Sequence, residues 1–102
     1  MSMLHTVNKS PFERNTLTAC LGHALPESAV LLIEDGVYAA VNGTTFEKDV
    51  RAAMENRSLY VLGPDLLARG LTADQVIDGI QVVDYGGFVE LTEKHDKVQA
   101  WL

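Results

Sequence analysis

The apolar stretch Ala29-Val30-Leu31-Leu32-Ile33 limits the fold more than any other part of the sequence. It contains no polar position, and most of its side chains are branched. A strand with one solvated face alternates apolar and polar residues, so an unbroken short run is typical of a strand covered on both faces. The run is also far too short to cross a bilayer. We therefore expect a central strand with helices on both sides, and no membrane association.

Strand-like and helix-like segments alternate along the rest of the chain. Further apolar runs predict strands over residues 3–7, 59–62 and 80–83. This alternation predicts an α/β fold, with one three-layer α/β/α domain over residues 1–102 and a mainly parallel sheet of four to five strands.

Helix-starting residues mark the segments between the predicted strands. Ser10-Pro11-Phe12-Glu13 has the pattern of a capping box with proline at the first helical position, and Thr44 to Glu47 has a second capping box. We expect helices over 10–23, 44–56, 66–69 and 88–95, a short helical turn over 37–41, and a loop with at most one helical turn over 71–79.

The acidic charge balance argues against nucleic-acid binding. The chain has a formal net charge of -6, and its eight lysines and arginines are scattered rather than clustered. A phosphate backbone is repelled by such a surface. The turns after the strands also lack a phosphate-binding glycine pattern. We therefore expect no direct contact with nucleic acid and no bound nucleotide.

Polar and acidic residues follow the predicted strands and would gather at the carboxyl edge of the sheet. They are Asn8, Lys9, Glu34, Asp35, Asp65, Asp84 and Tyr85. Carboxylates at such an edge bind Mg²⁺ in some proteins, but they also commonly cap helices and close turns. The histidines and the cysteine do not have the spacing of a zinc site. The sequence therefore favours no metal and no cofactor.

Cys20 and His23 are the candidate site residues. On a helical projection, Leu17, Leu21 and Ala24 share one face, and Cys20 lies about 60° from its centre. We therefore expect Cys20 at the edge of the buried stripe, with His23 close enough, three residues on, to tune its pKa. The late position in the helix opposes ionisation of the thiol. A packed, unreactive cysteine is the alternative.

Two further expectations concern the location of the protein and the ends of the chain. A single cysteine cannot form an internal disulfide, and the first residues lack the features of a signal peptide, so we expect a cytoplasmic protein. His5 should be a packed or hydrogen-bonded histidine within its strand. The apolar terminus Trp101-Leu102 should dock onto another surface.

Several segments, in order along nearly the whole chain, resemble the DsrH/TusB family. The matching residues are Met3 to Pro11, Leu31 to Val41, Asp65 to Leu71, Val82 to Tyr85, Phe88 to Thr92 and Trp101-Leu102. The resemblance implies a DsrE-like fold and a subunit of a sulfur-relay complex. It implies assembly with a DsrE/TusD-type and a DsrF/TusC-type subunit into a two-fold heterohexamer, which passes persulfide sulfur to a DsrC/TusE-type carrier protein.

The resemblance leaves alternatives open for the pathway that the complex serves and for the role of the Cys20 thiol. In the Dsr branch the sulfur serves dissimilatory sulfur oxidation, and in the Tus branch it serves tRNA 2-thiouridine synthesis. A cysteine in the first helix is a DsrH feature, so Cys20 favours the Dsr branch. Cys20 is then either a persulfide carrier or incidental to a structural subunit, and the family places the principal catalytic cysteine on the DsrE/TusD-type partner. A free-standing receiver-like domain is a third alternative and predicts a monomer.

Overall fold

The computed structural model describes residues 3–102, so the first two residues of the predicted domain lie outside the described residues. A five-stranded sheet runs through the molecule, with the strand order β4-β3-β2-β1-β5 and every neighbouring pair parallel. The strands are β1 (Met3–Val7), β2 (Ala29–Leu32), β3 (Ser58–Leu62), β4 (Gln81–Val83) and β5 (Lys97–Trp101). The apolar run Ala29 to Ile33 contains β2, the central strand, and all four residues of β2 are buried.

Helices connect successive strands, as a parallel sheet requires. The α-helices are α1 (Thr16–His23), α2 (Glu47–Ala53), α3 (Gly63–Ala68) and α4 (Tyr85–Lys94). Two 3₁₀ helices, Glu34–Ala40 and Ala73–Gln75, lie in the longer connections. Within residues 3–102, every helix is too short or too polar to cross a membrane.

The side chains of the sheet divide into two apolar clusters, one on each face. The larger cluster packs strand residues such as Val30 and Val61 against α1, α2, α3 and the first 3₁₀ helix. The smaller cluster packs Leu4 and Leu31 against Leu91 of α4. Both faces of the sheet are therefore covered by helices, and the predicted three-layer α/β/α fold with a parallel sheet is confirmed.

The predicted start of the first helix is wrong. Residues 10–13 form a turn, in which the Ser10 carbonyl accepts hydrogen bonds from the amides of Glu13 and Arg14, each at 3.1 Å. The Ser10 hydroxyl accepts a further bond from the Phe12 amide at 3.2 Å. Serine side chains stabilise such turns as readily as they cap helices, and here the chain leaves the turn before α1 begins at Thr16.

Other predicted element boundaries differ from those in the structure for similar local reasons. The predicted helix over 44–56 is shortened to Glu47–Ala53, because Thr44 closes a turn by accepting a bond from the Phe46 amide. The predicted helix over 88–95 begins earlier, at Tyr85, because Asp84 caps it through a 2.8 Å bond from the Gly87 amide to its carboxylate. The expected single helical turn within 71–79 is the second 3₁₀ helix, Ala73–Gln75.

Candidate functional site

Cys20 lies in the larger core cluster and has no exposed surface. The expected position at the edge of the buried stripe is therefore wrong. The buried residues of α1 are Thr16, Leu17 and Cys20, whereas Leu21 is only partly buried. Helix α1 is therefore rotated about its axis, relative to the helical projection, so that Cys20 faces the core. The contacts of α1 with the sheet set this rotation, and the periodicity of its own sequence does not.

Burial changes the chemistry of the Cys20 thiol. Loss of solvent raises its pKa to about 12, and the nearby positive charge of Arg57 offsets only part of that effect. With such a pKa, roughly one thiol in 10⁵ is ionised at neutral pH. A cavity of about 370 Å³ opens beside α1 and α2, but Cys20 is not among the residues that line it. The thiol is therefore both protonated and enclosed.

His23 has partners other than the thiol. Its Nδ1 atom donates to the Ala19 carbonyl at 2.9 Å, one helical turn back along α1. Its ring lies against the indole of Trp101, with the ring centroids 5.8 Å apart. The side chain is exposed. The structure thus places Cys20 in the core and His23 at the surface beside the last strand.

His5 and Trp101 form a contact that joins the two ends of the chain. The indole Nε1–H of Trp101 donates to His5 Nδ1 at 3.0 Å, and their ring centroids are 6.1 Å apart. His5 is only 3% exposed, as expected for a packed, hydrogen-bonded histidine. Trp101 docks onto it from β5, which pairs with β1 along the full length of both strands. The sequence predicts a packed His5 and a docked Trp101, but it does not indicate that these two side chains contact each other.

The Trp101 cavity, as we call it, lies beside this contact and has a volume of about 350 Å³. Its lining includes Met3, His5, His23, Leu25, Gln99 and Trp101. It therefore combines aromatic and aliphatic walls with two histidines, in a position where α1, β1 and β5 meet.

The acidic residues at the carboxyl edge of the sheet mainly bind amide groups and positively charged side chains of the protein itself. The Asp65 carboxylate accepts from the Glu34 amide at 2.6 Å, and Asp35 pairs with Arg69 at 2.9 Å. Glu34 accepts from the Asn8 side-chain amide at 3.4 Å. Within residues 3–102, His, Cys, Asp and Glu form no cluster of three that could hold a metal ion.

Acidification is expected to weaken the fold through His5. Burial, and secondarily the charge of Arg57, lower its pKa below the ordinary value of 6.5. The unfolded chain therefore binds a proton at a higher pH than the folded chain, and stability falls as the pH drops below about 6.5. Protonation of Nδ1 also removes the acceptor for the Trp101 indole. Urea unfolding at about pH 7.5 and about pH 5.5 measures this loss.

The His5→Gln variant is the control for that measurement. Its side-chain oxygen can accept from the indole but does not titrate, whereas all other ionisable groups are unchanged. The wild type should therefore lose more stability between the two pH values than the variant loses. Equal losses in the two proteins would show that His5 does not contribute.

Comparison with known proteins gave matches that cover almost all of the chain. A family model described as DsrH-like protein matches residues 9–98. The proteins named TusB from Shigella flexneri and from Escherichia coli K12 are each 43% identical over 100 residues, which is 97% of this chain and all of theirs.

Solved structures of low sequence identity share the fold. The ychN protein from E. coli superposes with a TM-score of 0.83 at 16% identity, covering 98% of both chains. MTH1491 from Methanobacterium thermoautotrophicum superposes with a TM-score of 0.73 at 17% identity, covering 96% of this chain and 97% of its own.

Proposed function

The chain belongs to the DsrH-like protein family, and from this membership we propose that it is a cytoplasmic subunit of a sulfur-relay complex. In this proposal it assembles with a DsrE/TusD-type and a DsrF/TusC-type subunit into a two-fold heterohexamer. The complex passes persulfide sulfur to a DsrC/TusE-type carrier protein. The observation that carries the proposal is the full-length similarity to TusB proteins, at 43% identity over 97% of the chain.

The environment of Cys20 supports a non-catalytic role for this subunit. Persulfide transfer begins when a thiolate attacks the outer sulfur of an incoming persulfide; one sulfur–sulfur bond forms, another breaks, and the donor leaves as a thiolate. Cys20 is fully buried and its pKa is raised to about 12, so it meets neither requirement of the attacking thiol, ionisation or access. We therefore assign the sulfur-carrying thiol to the DsrE/TusD-type partner, with this chain completing the assembly.

Persulfide mapping on the assembled complex tests this assignment. The complex is incubated with a persulfide donor, and each subunit is analysed by intact mass. We expect the added sulfur atom on the DsrE/TusD-type subunit and none on Cys20. The Cys20→Ala variant should leave the rate of sulfur transfer to the carrier within about twofold of wild type, because it removes a group that takes no part in the reaction.

A thiol-labelling experiment provides the structural control. In the native chain, Cys20 should react with an aromatic disulfide reagent only as fast as the protein unfolds, and the reaction should become rapid in denaturant. Added sulfur on Cys20 in the complex, or a large loss of transfer in Cys20→Ala, would instead support the persulfide-carrier alternative. Failure to co-purify with the two partner subunits would contradict the proposed complex itself.

The pathway that the complex serves is a separate question. Cys20 in the first helix is the feature that favours the Dsr branch and sulfur oxidation, but its burial weakens that argument. The two relatives described above, each 43% identical to this chain, are named TusB. We therefore propose the Tus branch, in which the sulfur reaches tRNA as 2-thiouridine, and keep dissimilatory sulfur oxidation as the alternative.

Complementation distinguishes the two branches. The chain, with its own partner subunits, is expressed in a bacterium that lacks its TusB subunit, and 2-thiouridine in tRNA is measured. Restored thiolation is expected for the Tus branch. If thiolation is not restored while the complex assembles, the sulfur-oxidation alternative is favoured.

A further inference from the structure

His5, which lines the Trp101 cavity, has a hydrogen-bond donor that the fold does not use. Because an indole N–H only donates, His5 Nδ1 must be the acceptor, and the proton of neutral His5 must lie on Nε2. The Nε2–H group has no partner in the described part of the chain. Within residues 3–102, Asn8 Oδ1 is the one fully enclosed side-chain atom without a partner, so His5 Nε2 retains some access to solvent. His5 is among the residues that line the Trp101 cavity.

The charges around the cavity favour an anion. The chain has 14 acidic residues, yet none of them is among the residues that line this cavity. The positive charge of Arg57 acts on His5, which lines the cavity. The nearest acidic residue in sequence, Glu27, is exposed and is not part of the lining. Although the protein is acidic overall, a ligand carboxylate in this cavity would therefore not be repelled by acidic side chains in the lining.

The walls of the cavity favour a flat apolar body. The rings of Trp101 and His23 are tilted by 47° with their centroids 5.8 Å apart, and Met3 and Leu25 add aliphatic surface. A third aromatic ring can pack against such tilted rings in an edge-to-face or offset arrangement. The volume of about 350 Å³ lies at the lower end of the range for small-molecule sites.

We propose that the Trp101 cavity binds a small aromatic carboxylate, with the ring against Trp101 and the carboxylate accepting from His5 Nε2–H. His23 contributes from the rim of the cavity. Its ring lies against that of Trp101 and extends the aromatic wall of the cavity. This binding site is independent of the proposed sulfur relay, because it involves neither Cys20 nor a persulfide.

Titration with phenylacetate, followed by the indole N–H signal in NMR spectra of the full chain, tests the proposal. The chain has a single tryptophan, so the signal reports on Trp101 alone. We expect a saturable shift with a Kd of about 1 mM or below, as is typical of a small fragment. Phenylacetamide should bind at least about tenfold more weakly because it lacks the charge that strengthens the hydrogen bond. Acetate, which has no ring, should give no saturable shift.

Matched histidine variants locate the binding site. His23→Gln should weaken phenylacetate binding about fivefold or more by removing the ring that packs against Trp101 and the ligand. His95→Gln is the control, because His95 makes the same bond, from Nδ1 to the carbonyl four residues back at 2.9 Å, but does not line the cavity. His5→Phe should abolish binding because phenylalanine has no N–H donor, and if the variant fails to fold, His23→Gln still decides the question.

Three results would overturn the proposal. They are the absence of a saturable shift with phenylacetate, equal binding of phenylacetate and phenylacetamide, and equal weakening by His23→Gln and His95→Gln. None of these results bears on the sulfur relay, which is tested by persulfide mapping and co-purification.

Discussion

The Gly36→Ala variant is expected to lose more than about 4 kcal/mol of unfolding free energy, enough to prevent folding of a marginally stable chain. A Cβ atom on Gly36 would lie 2.1 Å from the carbonyl oxygen of Val7 and 2.9 Å from its carbonyl carbon. Both atoms belong to the backbone of β1, and the same carbonyl accepts a 3.0 Å hydrogen bond from the Ile33 amide. The clash can be relieved only by moving the first 3₁₀ helix away from the sheet.

That movement would disturb the core because Val37, Ala39 and Ala40 of the same 3₁₀ helix are fully buried. Urea unfolding followed by far-ultraviolet circular dichroism measures the loss. Gly22→Ala is the matched control, since a Cβ there meets nothing within 4 Å and Gly22 lies within α1. It should gain about 0.5–1 kcal/mol from improved helix propensity. A folded Gly36→Ala variant with a loss below about 1 kcal/mol would contradict this account of the close approach.

The Leu66→Ala variant is expected to lose about 2–5 kcal/mol of unfolding free energy. Leu66 is 2% exposed and belongs to the larger core cluster, so truncation removes buried apolar contacts and leaves a cavity. Its neighbour Leu67 lies on the same helix but is 70% exposed. The same substitution at Leu67 should change stability by no more than about 0.5 kcal/mol.

Comparison of the two leucine variants separates the effect of burial on the unfolding free energy from the effects of helix propensity and of the substitution itself. Both replace leucine by alanine at adjacent positions of α3, so their intrinsic helix preferences cancel. Denaturant midpoints measured under identical conditions give the difference directly. Equal losses at the two positions would mean that α3 does not pack in the orientation described.

The parts of the fold that follow from local sequence were predictable. The run Ala29 to Ile33 indicates a strand buried on both faces, and β2 is that strand at the centre of the sheet. Burial of this kind leaves a direct mark on the sequence because every position must be apolar. The alternation of strands and helices likewise predicts the parallel sheet.

The parts that depend on distant contacts were not predictable. β5 was not among the predicted strands, because four of its five residues are exposed at the sheet edge and leave little apolar signal. The rotation of α1 that buries Cys20 is set by packing against the sheet. The bond between His5 and Trp101 joins residues 96 positions apart, and neither residue's neighbours indicate it. The sequence therefore identified the candidate thiol and left a packed cysteine as an alternative, but the complete burial of Cys20 depends on packing that the sequence does not show.

The position of β1 between β2 and β5 has a consequence for the order in which the protein folds. β1 obtains its outer neighbour from β5, whose Lys97 pairs with Met3 across 94 positions of sequence. Contacts of such large sequence separation slow folding, because a long loop must close before they form. Until β5 has been synthesised and has docked, the outer edge of β1 has unpaired backbone groups, which are a template for aggregation. A chain that stalls before Lys97 is thus expected to need protection that β5 provides once it is in place.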